Sequence, residues 1–139
     1  MQVEVQIAGG LPGFDIVGLP ERAVRESRVR VKSALEAQGI ELPPRHLVLN
    51  LAPGDVKKQG ASFDLAIAVA LLAACGVLRK HRLPHALLLG ELSLGGDLRA
   101  VPGVLAQLES ARVLGLQEAL IPRGNANEGR LSRGLEVRA

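Results

Sequence analysis

His46-Leu47-Val48-Leu49-Asn50-Leu51-Ala52 leads, through the loop Pro53 to Ala61, into Ser62-Phe63-Asp64 and then the unbroken run from Leu65 to Cys75. The first stretch, with Leu47, Val48, Leu49 and Leu51, reads as a buried strand, because a short apolar run bounded by turn signals suits a covered place in a sheet. The second is apolar all round, the mark of a central helix covered on every side. Ser62 stands where an N-cap belongs, and Asp64 falls in the first turn, where the helix dipole favours negative charge. Gly76 ends the helix. The loop between the two runs is polar and contains glycine.

Before this unit, Val3, Val5 and Ile7 alternate with polar residues, as in a half-buried strand. Gly9-Gly10-Leu11-Pro12-Gly13 is a turn and Phe14 to Gly18 a second short strand. Pro20 and Glu21 open a helix that runs to about Gln38 and stops at Gly39. Val24, Ser27, Val31, Ala34 and Leu35 share one face of it. Arg22, Arg25, Arg28 and Lys32 share an adjoining face, which reads either as a solvated surface or as a phosphate or subunit contact.

After the unit, Arg79 to His85 form a basic connection and Ala86 to Gly90 a strand. Leu92 to Leu94 and Leu98 to Val101 flank Gly95-Gly96-Asp97 as a hairpin. Pro102 opens a third helix carrying Val104, Leu105, Leu108 and Ala111, closed by Gly115. Ala119 to Ile121 is a short strand, and the tail from Arg123 is polar and weakly patterned. Strands interleaved with three helices predict one mixed α/β (α+β) domain over residues 1–139.

Composition narrows the function classes. Phe14 and Phe63 are the only aromatic residues, so base stacking on rings is excluded as a mode of nucleic-acid binding. The net charge of +3 permits contact with nucleic acid without requiring it. Thirteen of the 17 cations are arginine, which suits ion pairs, subunit contacts and phosphates alike. Cys75 is alone, so there is neither a disulfide framework nor a cysteine zinc site. The start shows no signal-peptide pattern, and the longest apolar run is well short of the roughly 20 residues a membrane span needs. A soluble, cytoplasmic chain with no membrane partner is expected.

No Gly-Lys-Ser or Gly-Lys-Thr occurs, and the Gly9–Gly13 turn lacks the spacing of a dinucleotide site, so no cofactor site is expected in this chain. His46, His81 and His85 do not form a metal-ligand pattern; Pro84 disfavours a shared helical face for the last two. Ser62, at a loop-to-helix junction, is the one position to test for a nucleophile, but serine needs a base. The lysines are Lys32, Lys57, Lys58 and Lys80, and none lies on the third helix.

Gly10-Leu11-Pro12-Gly13-Phe14-Asp15-Ile16-Val17-Gly18-Leu19-Pro20-Glu21 resembles the opening of the Mg-chelatase-like AAA+ proteins of the ComM/YifB family. Glu26-Ser27, Arg30-Val31, Val48 to Asp55, Lys58-Gln59-Gly60, Phe63 to Ala68, Gly90 to Gly96 and Ile121-Pro122 continue the resemblance. It covers nearly the whole chain. It implies the family's N-terminal, ChlI-type domain, with the ribosomal protein S5 domain 2-like fold of the Lon proteolytic domain and the RadA C-terminal domain. Relative to the family, this chain is expected to lack a first strand and the AAA+ module.

The resemblance to Lon places Ser62 at the nucleophile position and Leu105 where the partner lysine would stand. Leucine takes no proton, so the dyad is broken and no catalytic residue is expected. The implied function is a non-catalytic domain of a hexameric ATPase, the parent being similar to DNA helicases of branch migration, recombination and natural transformation. ATP and Mg2+ would belong to the parent's AAA+ module. The implied partners are further copies of the chain and single-stranded or branched DNA. Arg22, Arg25, Arg28, Lys32, Lys57 and Lys58 are the candidate DNA or subunit contacts. The alternative is a Lon-like Ser-Lys peptidase or a degenerate peptide-binding domain. Magnesium insertion would need a ligand cluster that the sequence lacks.

Overall fold

The computed structural model describes residues 2–52, 60–79 and 86–139. Its first sheet has strand order β1-β3-β2, with β1 at Gln2–Ala8, β2 at Gly13–Val17 and β3 at His46–Ala52. Strand β3 is central, antiparallel to β1 and parallel to β2. Leu47, Leu49 and Leu51 alternate inward from it and are buried to within 1% of completely. Helix α1, Glu21–Ala37, links the parallel pair β2 and β3. It buries Ser27, Val31, Ala34 and Leu35, four of the five positions that periodicity puts on its inner face.

Helix α2, Asp64–Ala74, packs against β1 and α1. Ile67 and Leu71 are fully buried, but Ala66, Val69, Ala70 and Ala73 are only half-buried. The expectation of a helix covered on every side is therefore corrected: its small residues line a cleft of about 990 Å³ opposite Val5 and Leu87. Ser62 is not the N-cap either. The chain enters α2 through a 3-10 turn, Gly60–Phe63, which moves the cap position to Phe63 and leaves Asp64 as the first helical residue.

The remaining strands form a parallel sheet of order β4-β7-β8 (Ala86–Leu88, Glu118–Leu120, Glu136–Arg138) and an antiparallel pair, β5 with β6 (Glu91–Leu92, Leu98–Arg99). Helix α3 spans Val104–Val113 and begins after Gly103, which takes φ 74°, so Pro102 belongs to the preceding turn rather than to the helix. The tail is more ordered than its composition suggests, with a 3-10 turn at Arg123–Asn125, helix α4 at Ala126–Leu131 and then β8. Asn125 organises it: buried, it accepts from the Val101 N–H and donates to the Val101 carbonyl, at 3.0 and 2.9 Å. The result is a mixed α/β fold whose buried apolar side chains form one core.

Candidate functional site

The cationic face of α1 exists as the helical spacing requires, but every member is already paired. Arg22 reaches Glu26 at 2.9 Å, Arg25 reaches Glu21 at 2.6 Å and Lys32 reaches Glu36 at 3.9 Å, each one helical turn apart. Arg28 lies 3.7 Å from Asp15 of β2 and stacks over the Phe14 ring at 5.8 Å. Arg22 is held above, and Glu26 below, its ordinary pKa by their mutual hydrogen bond. Cations and carboxylates thus alternate along one exposed surface. Beside it runs a groove of about 930 Å³ lined by Arg25, Arg28, Lys32, Phe14, Leu42 and Pro44. Lys57 and Lys58, the other two candidate contacts, lie outside the described residues, as do His81 and His85.

The Ser62 junction is built differently. Ser62 is 6% exposed, and its carbonyl accepts from the Gly90 N–H at 3.0 Å while the Leu65 N–H donates to the Gly90 carbonyl at 3.1 Å. Next to it Asp64 is fully buried. Its carboxylate accepts from the Ser27 hydroxyl at 2.7 Å, from Arg30 Nε and Nη2 at 2.5 and 3.1 Å, and from the Leu92 N–H at 3.2 Å. A buried carboxylate needs this degree of satisfaction, because desolvation of an unpaired charge costs several kcal/mol. The hydrogen bond to Asp64 holds the Arg30 guanidinium above its ordinary pKa. Three elements, α1, α2 and β5, meet on one carboxylate.

Local pattern assigns Ser27 to the buried face of α1 and Asp64 to the first turn of α2; only the fold joins them. The available signal was a serine in an otherwise apolar stripe, together with an acid at the head of an apolar helix. Leu105 sits on α3, partly exposed, and its N–H donates to Glu128 Oε2 at 3.0 Å. Among the described residues no three His, Cys, Asp or Glu side chains converge as a metal site would require, and no helix is long and apolar enough to cross a membrane.

Residues 3–125 match the family described as subunit ChlI of Mg-chelatase. The chain is 44% identical over 132 residues to the uncharacterized protein YifB of Escherichia coli, covering 95% of this chain and 26% of that one. It is 41% identical over 129 residues to the competence protein ComM of Haemophilus influenzae, covering 93% and 25%. This chain belongs to the ComM/YifB family of Mg-chelatase-like proteins. It spans about a quarter of the length of these relatives. A more distant similarity, 37% over 89 residues, connects the family member described here with the DNA repair protein RadA of Pseudomonas aeruginosa, covering 63% of this chain and 19% of that one.

Proposed function

We propose that this chain is the N-terminal, S5 domain 2-like domain of a hexameric Mg-chelatase-like AAA+ ATPase, and that it serves assembly of the ring. The observation that carries this reading is the alternation of Arg22, Arg25, Arg28 and Lys32 with Glu26, Glu21, Asp15 and Glu36 on one exposed face. A surface with both signs in register suits a complementary protein surface, where charge patterns fix partner and orientation. A polyanion would first have to displace the carboxylates. The similarity to a competence protein supports a parent that works on DNA, as a helicase of branch migration in recombination and natural transformation. ATP and Mg2+ belong to its ATPase module in this reading, and the compartment is the cytoplasm. In this reading the domain itself is non-catalytic, since α3 carries no lysine and the resemblance to Lon sets Leu105 at the lysine position.

The test is a double reversal, Arg25→Glu with Arg28→Glu, in the full-length parent. Light scattering with nucleotide present is expected to show hexamers giving way to smaller species. Unchanged hexamers would remove α1 from the interface. DNA contact by the same face is the second arm. If it holds, affinity for branched DNA falls with salt, and losing two phosphate contacts flattens the log–log slope by about 1.4 to 1.8. An unchanged slope in the variant would exclude α1 as the DNA surface. Casein incubated with this chain is expected to show no cleavage that depends on Ser62; cleavage abolished by Ser62→Ala would favour the peptidase reading instead.

A further inference from the structure

His46 opens β3, and both of its ring nitrogens face oxygen. Nδ1 lies 3.0 Å from the Leu11 carbonyl, and Nε2 lies 3.1 Å from a carboxylate oxygen of Asp15. Carbonyl and carboxylate oxygens only accept, and a neutral imidazole carries a single N–H. Only the imidazolium can donate towards both at once. We propose that His46 is a proton-operated latch on the segment Leu11–Asp15: charged, it clamps the segment through two links, and neutral, through one.

The surroundings make those links matter. Leu11 is 86% exposed, so apolar packing does little to hold the turn. Gly13 to Asp15 are already tied into the β2–β3 ladder and Phe14 is buried, so the latch acts on the Leu11–Pro12 end of the segment, where the Gly13 N–H meets the Arg45 carbonyl at 3.2 Å. The strand neighbours paired with His46, Ala8 on β1 and Gly13 on β2, are uncharged. The charged groups around it are Asp15 itself, Arg28 of α1 at 3.7 Å from the other Asp15 oxygen, and Arg45, the preceding residue; Glu4 of β1 lies four residues along the strand, opposite Asn50. Arg28 keeps Asp15 partly occupied, so the carboxylate is shared between α1 and the latch. Pro12, Gly13 and Phe14 line the groove beside Arg25 and Arg28, and the state of the latch therefore sets the shape of one wall of that groove.

The sign follows directly. Protonation favours the clamped form, so the turn loosens when rising pH takes the second ring proton away. Amide hydrogen exchange followed by NMR on this chain, corrected for intrinsic base catalysis, reads it. Protection of the Gly13 amide, whose bond to the Arg45 carbonyl closes the turn, is expected to fall about two- to tenfold between pH 5 and pH 8.5, the range of one hydrogen bond. Core amides such as Leu49 are expected to hold constant. In His46→Gln, neutral throughout, the dependence is expected to vanish, and in Asp15→Asn to become shallower. A flat profile in the unmodified chain, the same slope in His46→Gln, or an equal change in the core amides would each overturn the latch.

Discussion

Asp64→Ala tests the central claim about how this fold is held. The substitution removes the acceptor for the Ser27 hydroxyl, for two N–H groups of Arg30 and for the Leu92 N–H. Breaking a buried ion pair from one side costs about 3–5 kcal/mol, because the remaining charge stays desolvated. The Arg30 side chain is 18% exposed, so water relieves part of that penalty and the lower end, about 3 kcal/mol, is expected. That is a large part of the roughly 5–15 kcal/mol by which a domain is stable, and for this size a fall of about 10 °C in Tm. Urea unfolding followed by circular dichroism should show the midpoint lowered with its slope unchanged. The triple change Ser27→Ala, Arg30→Met, Asp64→Ala should recover at least half of the loss, since it leaves only the Leu92 N–H unpaired. A single variant within about 1 kcal/mol of the parent chain, or a triple variant no better than the single, would refute the reasoning.

Three further outcomes are expected. Gly18→Ala should cost about 2 kcal/mol or more, because at φ +98° the new Cβ would stand 2.3 Å from the Leu51 carbonyl oxygen; Gly39→Ala, where that space is open, should cost about 1. Urea midpoints compare the two directly. Asn125→Ala should cost about 2–3 kcal/mol by the same measurement, having orphaned the Val101 N–H and carbonyl. Burial pushes the Cys75 thiol above its ordinary 9.0, so its reaction with a disulfide reagent should reach half-maximal rate above pH 9. The folded chain then holds the proton longer than the unfolded one, so this group's contribution to stability is full below pH 9 and is lost as pH rises through the folded value.

How much was legible follows from where the information resides. Strand β3 came out of the sequence with its bounds intact, because Leu47, Leu49 and Leu51 bury one continuous row and the turn residues around them are explicit. Helix α1 was equally readable from the 3.6 period and the glycine behind it. The tail was not, because α4 has only six residues and its fixing interaction is a single side chain, Asn125, bonded to a strand-like segment 24 residues earlier. Likewise the cationic face could be read from spacing, whereas the pairing of Arg28 with Asp15 depends on β2 lying beside α1. Asp64 was the hardest case. Local rules account for an acid in a first turn, and nothing local says that the acid is buried under an arginine 34 residues away.

Under the alternative reading as a Lon-like peptidase, the surroundings of Ser62 and Leu105 decide whether a lysine at position 105 could complete a dyad. The resemblance to Lon puts a glycine near the nucleophile where this chain has Asp64, and here the side chain at that position ties α1 and β5 to the start of α2. The Ser62 carbonyl is committed to Gly90, and the hydroxyl belongs to a residue only 6% exposed. At the other position, the Leu105 N–H is taken by Glu128, whose second oxygen accepts from Asn125 at 2.8 Å. The long side chain of a lysine introduced at residue 105 can fold back onto that carboxylate at its own backbone. An adjacent negative charge favours the ammonium form, the opposite of the depressed pKa that a lysine base needs. Leu105→Lys is accordingly expected to leave peptide hydrolysis undetectable, and adding Glu128→Gln to be required before any cleavage dependent on Ser62 could emerge. Cleavage by Leu105→Lys alone, abolished by Ser62→Ala, would mean that the carboxylate does not govern that position.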